Sequence, residues 1–447
     1  DGKFFISVDG TFSTNADGDT QNPATGANPM GTIDTTIDFF FHCGNISAFQ
    51  GNFGQDGTFG GNETTTSDGE TYNRATNTDA NGIGSFHAPV PTGYLAMCTS
   101  NMAEPTIGPN SDTQATDYFN TVIYSGNNDA TRTFDVGFVS DWSWFKARNG
   151  DGYGHQLYDS NRGVTKRLFA NTTAAESTNA EGVTSFDSSG NLAIGTDAFL
   201  NEDGTTMVIW NWKANGGTTS SNSDGSITST VQANTDAGFS IVSYTGTGSN
   251  ATVGHGLSSV DMMIIKNRDD SANWITWHIA YSGGSYFQEL NTTDGKNTSS
   301  TPFNGTEPNG TVLALGTNNA TNGSADDMIA YCFHSVEGYS KFGSYTGNGN
   351  ADGPFVYTGF RPAFIMWKRT DSSGSSWGIV DSARNTYNVM GQTLYPDLSN
   401  AENTNNYCDF TANGFKIRGT SGFQNASGGT YIYMAFAESS FKYANAR

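Results

Sequence analysis

An all-β fold is expected of this 447-residue chain, from its composition, its local patterning and its internal repetition. Gly contributes 55 residues and aromatics 13%, whereas charged residues make up only 14%. Lys, Glu, Leu and Arg are scarce beside Gly, Asn, Ser, Thr and the aromatics, a balance that favours strands and turns over helices. The aromatic content also excludes a disordered chain, which lacks the means to bury a core. Short apolar runs alternate with turn clusters such as Asn149-Gly150-Asp151-Gly152 and Asn348-Gly349-Asn350.

The repetition is the strongest signal. Three segments open with Tyr, a small residue and Gly: Tyr124-Ser125-Gly126, Tyr244-Thr245-Gly246 and Tyr345-Thr346-Gly347. Each continues to an apolar run that ends in Lys, at Lys146, Lys266 and Lys368, with Arg148, Arg268 and Arg369 just beyond. The first and third segments then agree in detail. Asp159-Ser160-Asn161-Arg162 matches Asp381-Ser382-Ala383-Arg384, and Leu168-Phe169 with Glu176 matches Leu394-Tyr395 with Glu402. At constant offset Gly195 meets Gly419, Phe199 meets Phe423 and Asn201 meets Asn425. The second segment joins through Gly316-Thr317, Asn322 and Met328 to Phe333, but has His278-Ile279-Ala280-Tyr281 near the place of the Asp-Ser-x-Arg element. At about 100–120 residues the period is a whole domain, longer than the roughly 20–50 of a solenoid unit.

The expected organisation is a β domain over 1–115 and three β-sandwich, jelly-roll-like repeats over 118–213, 236–335 and 338–447. In the first region, Phe4 to Phe12 reads as strand, Asp9-Gly10 turn and strand. Ile37 to Phe41, Gly51 to Gln55 and Gly93 to Met97 read as further strands, and 56–85 as a long polar loop. Within the repeats, Met207 to Trp212 and Tyr431 to Phe436 are nearly continuous apolar runs, the pattern of strands in the middle of a sandwich. Each repeat should be less than a tenth helical. Asp1 falls within a strand pattern, so a segment upstream of it is expected.

Charge and motif content remove several functions. A net charge of −22 excludes the basic patches that seek nucleic acid or anionic membrane. No apolar run approaches the roughly 18 residues of a membrane helix. Cys43, Cys98, Cys332 and Cys408 are far apart and read as small buried hydrophobes, with neither a disulfide framework nor a zinc site. The six histidines are scattered, and no P-loop, nucleophile elbow or dinucleotide fingerprint occurs. Asn15–Asp19, Asn149–Asp151 and Asn201–Asp203 are oxygen-rich but lack the EF-hand pattern, and are read as turns. No catalytic residue, metal or cofactor is assigned.

Ser7 to Phe12, Asn52 to Gln55, Pro91 to Met97 and Glu104 to Ile107 resemble the C-terminal half of a SPRY domain, in the version found in tail-fibre and other virion proteins of marine bacteriophages. The repeats resemble the concanavalin-like β-sandwich domains that follow it there. The SPRY N-terminal half is absent. The resemblance implies a SPRY-like partial sandwich followed by three sandwiches, in a virion structural fibre or appendage that is not an enzyme. It implies attachment to a host-surface glycan or protein, contact with other virion proteins, and a homotrimer with an apolar patch at its subunit interface. A bacterial adhesin or lectin, and a polysaccharide-degrading tailspike, are the alternatives.

Three sets of residues are candidates for function. Asp159, Arg162, Asp381 and Arg384 suit either a ligand groove or a braced turn. Lys146, Lys266 and Lys368 suit an exposed cap or ion pair at a strand end. Trp142, Trp144, Trp274, Trp277, Trp367 and Trp377 suit either core filling or, where exposed, sugar rings, which offer an apolar face with a polar rim. Trp367 and Trp377, in the third repeat, are the first choice for the contact. At this net charge, binding should hold or strengthen as salt screens repulsion from an acidic envelope.

Overall fold

The computed structural model describes residues 113–439 continuously, and before them 3–4, 7–8, 11–12, 19–20, 27, 31–32, 77–84, 90, 92–96 and 107–108. The chain forms two compact units, Asp1–Glu104 and Pro105–Arg447. In the first unit β1 (Lys3–Phe4) pairs with β4 (Gly31–Thr32), and β2 (Ser7–Val8) pairs antiparallel with β3 (Thr11–Phe12) across Asp9-Gly10. That pairing is the hairpin the Asp-Gly signal calls for. The expected strands at 37–41 and 51–55, and most of the residues resembling SPRY, lie outside the described residues.

The second unit is all-β, with three helices of four residues each; 43% of the described residues are strand. Its first repeat contains β5 (Phe119–Ser125), β6 (Arg132–Asp135), β7 (Trp142–Ala147), β8 (Gln156–Asp159) and β9 (Lys166–Phe169). It continues with β10 (Ser177–Thr178), β11 (Val183–Phe186), β12 (Asn191–Ile194), α1 (Ala198–Asn201) and β13 (Thr206–Trp212). The sheets run β10-β9-β8-β7-β13-β5 and β11-β12-β6.

The second repeat contains β16 (Phe239–Thr245), β17 (Ala251–Gly254), β18 (Met262–Asn267), β19 (Ile275–His278) and β20 (Tyr286–Glu289). Then come β21 (Asn297–Thr298), β22 (Val312–Leu315), α2 (Asn319–Asn322) and β23 (Asp327–Phe333). The segment before it supplies β14 (Ser220–Asn222) and β15 (Ser229–Asn234), which extend the large sheet to β14-β15-β16-β23-β18-β19-β20-β21, with β17-β22 as the small one.

The third repeat contains β24 (Ser340–Thr346), β25 (Asp352–Tyr357), β26 (Arg361–Arg369), β27 (Gly378–Asp381) and β28 (Met390–Thr393). It ends with β29 (Asn403–Thr411), β30 (Gly414–Arg418), α3 (Gly422–Asn425) and β31 (Thr430–Ser439). Its sheets run β24-β31-β26-β27 and β25-β30-β29-β28. The order β5-β13-β7-β8 recurs as β16-β23-β18-β19 and β24-β31-β26-β27, so the three repeats share the core of the large sheet, whereas β9 and β20 extend that sheet and their counterpart β28 joins the small one.

Strands β13, β23 and β31 sit in the middle of their sheets, each between two partners. Residues Met207–Trp212 and Met328–Phe333 are buried without alternation. A central strand loses period-2 alternation when both its faces are covered. One face meets the repeat's own small sheet, and the other meets a neighbouring repeat. A single core cluster therefore runs through all three repeats, while a second one lies inside the first sandwich around Phe145, Tyr158 and Ile209.

The registers identify equivalent positions. Trp142 pairs with Trp212, Met262 with Phe333 and Phe364 with Phe436. These residues meet at the centre: the Trp212 and Phe436 rings are 5.7 Å apart, Phe333 and Phe436 6.2 Å, and Trp142 and Phe333 5.9 Å. The first repeat contacts the second, the second the third, and the third the first. A threefold arrangement of sandwiches is thus built within one chain.

Candidate functional site

The most ordered polar groups lie in the seams between repeats. The Asp-Ser-x-Arg elements end β8 and β27. Asp159 accepts hydrogen bonds from the Arg162 backbone N–H at 2.8 Å and from its Nε at 2.5 Å. Asp381 does the same for Arg384 at 2.8 and 2.6 Å. Each Arg then reaches a Glu of its own repeat, Arg162 to Glu176 at 3.0 Å and Arg384 to Glu402 at 2.9 Å.

Those Glu residues also receive an Arg from another repeat. Arg268 of the second repeat forks onto Glu176 at 2.9 and 3.0 Å, and Arg148 of the first forks onto Glu402 at 3.0 and 3.2 Å. Burial pushes the Glu176 carboxyl up, but the Arg268 and Arg162 guanidinium groups outweigh it and hold the pKa below its ordinary value. The Asp carboxylates are covered from next door, by Tyr331 OH at 2.6 Å on Asp159 and by Trp210 Nε1 at 2.9 Å on Asp381. All four Asp and Arg side chains of these elements are closed to solvent. Of the two roles open to them, they brace the turn, and they also join repeats.

The second repeat has neutral groups at these positions. His278, opposite Met262 as Asp159 is opposite Trp142, donates Nε2–H to Tyr433 O of the third repeat at 3.2 Å. Tyr281 donates to Gln288, whose amide donates to Arg369 O at 2.9 Å. Backbone hydrogen bonds place Lys296 where Glu176 and Glu402 stand, and Thr370 where Arg268 and Arg148 stand: Glu176 N–H donates to Arg268 O, Glu402 N–H to Arg148 O and Lys296 N–H to Thr370 O. The seam of the second and third repeats thus lacks both members of the fork, and Arg369, one residue earlier in the register, pairs with Asp371 of its own repeat at 2.9 Å. Replacing Lys296 by Glu together with Thr370 by Arg should create the missing fork. A double-mutant cycle of Lys296→Glu and Thr370→Arg, read from urea midpoints, is expected to show about 0.5–1 kcal/mol of favourable coupling. Zero coupling would mean that these positions do not correspond.

The lysines overturn the exposed-cap reading. Lys146, Lys266 and Lys368 are buried, and each donates to a backbone carbonyl of the adjoining repeat: Ser399 O at 3.4 Å, Thr173 O at 3.1 Å and Thr292 O at 3.1 Å. Burial lowers each ammonium pKa to about 8.

Of the two roles open to the six tryptophans, the structure shows core filling. Trp142, Trp144, Trp274, Trp277, Trp367 and Trp377 are all buried, between 0 and 4% exposed. A ring without an open face cannot stack a sugar, and these residues are core and seam. Trp274 donates to Phe169 O at 2.9 Å and Trp377 to Glu289 O at 3.0 Å, each reaching into the preceding repeat. Trp144 donates to His155 Nδ1 at 2.8 Å, while Trp277 and Trp367 donate to backbone carbonyls within their own repeats.

The Tyr-x-Gly motif is a lock. Tyr124, Tyr244 and Tyr345 donate their hydroxyls to Leu200 O, Thr321 O and Gln424 O. The next residues, Asn201, Asn322 and Asn425, are buried and tie the loop after the glycine to the strand end before the helix. Asn322 accepts from Thr247 N–H at 2.8 Å and donates to Ser249 O at 2.6 Å and Gly316 O at 2.8 Å. The glycine must be bare: a Cβ on Gly246 would lie 2.1 Å from Gly323 O. Asn201 is thus committed to structure. Among the described residues no three His, Cys, Asp or Glu side chains form a group that could hold a metal. Cys332 and Cys408 are buried free thiols, and Cys43 and Cys98 lie outside the described residues.

The surface candidates are residues that the sequence reading missed. Phe355, Tyr357 and Tyr387 of the third repeat are 47, 64 and 84% exposed. Phe355 and Tyr357 project from the outer face of β25, at the edge of the β25-β30-β29-β28 sheet, with Val356 buried between them. Opposite Phe355 stands Lys416, paired with Asp352 at 2.8 Å, and opposite Tyr357 stands Gly414. Asn403, Thr404, Asn405 and Asn406 of β29 are exposed in succession. Alternation of Phe355, Val356 and Tyr357 was the available signal.

Residues 114–440 match the family described as Domain of unknown function (DUF7483), so the three-sandwich ring is a member of that family. No curated protein matches the chain.

Proposed function

We propose that this chain is a bacteriophage virion appendage protein whose third repeat contacts a host-surface glycan. The observation that carries the reading is the concentration of open aromatic rings there. Among the described residues the exposed large aromatics are Phe355, Tyr357, Tyr387 and, in the first unit, Tyr94. Phe355 and Tyr357 offer apolar faces beside the Lys416–Asp352 and Arg418–Asp409 ion pairs, the mixture that a sugar ring with its polar rim requires. The contact moves from Trp367 and Trp377, which are buried, to this outer face. The acidic charge leaves affinity to directed contacts rather than to overall attraction.

The test is binding of the full chain to an array of bacterial surface glycans and to host cells, from low to marine sodium chloride. Tyr357→Ala is expected to weaken binding at least tenfold, and binding should hold or rise with salt. Unchanged binding in Tyr357→Ala and Phe355→Ala, or a steep fall with salt, would overturn the assignment.

A further inference from the structure

The small sheet of the third repeat is larger than its counterparts. It has the four strands β25-β30-β29-β28, where the first repeat has three and the second two. Cys408, Phe415 and Ile417 point inward from it and line a small cavity between the two sheets of the sandwich. The residues that alternate with them form the outer face, in rows that cross the strands. In one row Phe355 stands opposite Lys416, and Lys416 opposite Asp409. In the next, Tyr357 stands opposite Gly414, and Gly414 opposite Thr411. This second row continues to Tyr387. Asn388, the residue after it, donates to Phe410 O and accepts from Phe410 N–H, both at 2.8 Å, which holds this stretch along the far edge of β29.

Tyr357 and Tyr387, 64 and 84% exposed, therefore bracket the sheet at one end. Three strand spacings separate them, about 14 Å, and Phe355 adds a third open ring about 7 Å from Tyr357 along β25. A single sugar ring cannot reach across that span. The connections at this end are also too short to wall in a chain terminus: three residues, 358–360, join β25 to β26, and two, 412–413, join β29 to β30. The cations of the face are already committed, Lys416 to Asp352 at 2.8 Å and Arg418 to Asp409 at 2.6 Å. Each pair cancels its own charge and leaves donors and acceptors for hydroxyl groups.

We infer that this face takes the interior of a linear, neutral polysaccharide, laid across the strands from Tyr357 to Tyr387 so that separate sugar units meet separate aromatic rings. The inference rests on the glycan reading and adds the chemical class of its ligand: uncharged, unbranched over the contact, and recognised along its length. A sugar recognised at its end would need walls around it, and an acidic one would need an unpaired cation. Sugar rings offer an apolar face to an aromatic ring and hydroxyls to the ion pairs between. Joined sugar units engage the two tyrosines as linked binding groups, so affinity climbs with chain length once the chain spans the sheet.

The experiment titrates the full chain, by calorimetry, with partial hydrolysates of the array's surface polysaccharides sized from mono- to hexasaccharide. Affinity is expected to rise at least tenfold from disaccharide to hexasaccharide, and Tyr387→Ala should abolish the rise. Tyr387 is open to solvent, so its truncation leaves the fold intact. Ile279→Ala, at an exposed residue of the second repeat, is the control and should keep the full rise. Equal affinity for mono- and hexasaccharide would overturn the inference and leave the glycan reading standing. So would a rise that survives in Tyr387→Ala, or a preference for polysaccharides that carry carboxylate or sulfate. Absence of binding to every polysaccharide of the array would overturn the glycan reading itself, and this inference with it.

Discussion

Arg162→Ala should lower the unfolding free energy of the ring by about 3–5 kcal/mol, because it leaves closed-off carboxylate without its cation. Arg162 satisfies Asp159 through two hydrogen bonds, reaches Glu176, and donates to Leu157 O at 3.1 Å. The change damages a seam as well as a turn, since Glu176 also holds Arg268. Tyr281→Phe in the second repeat removes one neutral hydrogen bond and should cost about 1 kcal/mol. Urea denaturation followed by tryptophan fluorescence compares the two, and equal losses would remove the seam argument. Acid should act in the same direction. The folded pKa of Glu176 lies below its ordinary value, so its contribution is present above the unfolded pKa and is lost as pH falls through the folded one.

The second large effect is expected from Asn322→Ala, again about 3–5 kcal/mol. Its side chain satisfies Thr247 N–H, Ser249 O and Gly316 O inside the protein. Each group left unpaired when buried costs about 1–3 kcal/mol. Asn322→Asp keeps the acceptor but loses both donations and places a charge against two carbonyls, so it should be no better than alanine. Thermal or urea unfolding of the pair decides this. A loss below 1 kcal/mol in Asn322→Ala would show that water replaces the lock.

The constant offset of the repeats made the topology legible, because Gly195/Gly419, Asn201/Asn425 and the Tyr-x-Gly elements are all parts of one lock. The site was not legible for a related reason. Trp274 and Trp377 stand immediately before β19 and β27 and reach into the preceding repeat, and composition cannot distinguish a face that meets another repeat from one that meets solvent. The same holds for Lys266, which looks like a snorkelling strand end until Thr173 of the preceding repeat is placed over it. One clue to the ring was present in the sequence: the second repeat keeps Arg268 but has Lys296 in place of the Glu, while the third keeps Glu402 but has Thr370 in place of the Arg. An Arg that outlasts the Glu of its own repeat is a sign that its partner belongs to another.

The closing of the ring has a mechanical consequence. In a string of sandwiches, tension between the ends passes through every domain in turn. Here β5 and β31, the first and last strands of the ring, belong to repeats that grip each other directly through Arg148–Glu402 and Trp210–Asp381. A pull on the ends of the ring would load that seam first and leave the second repeat out of the path. The resistance of the whole assembly to drag would then be set by a few guanidinium–carboxylate and indole contacts rather than by the weakest of three sandwiches.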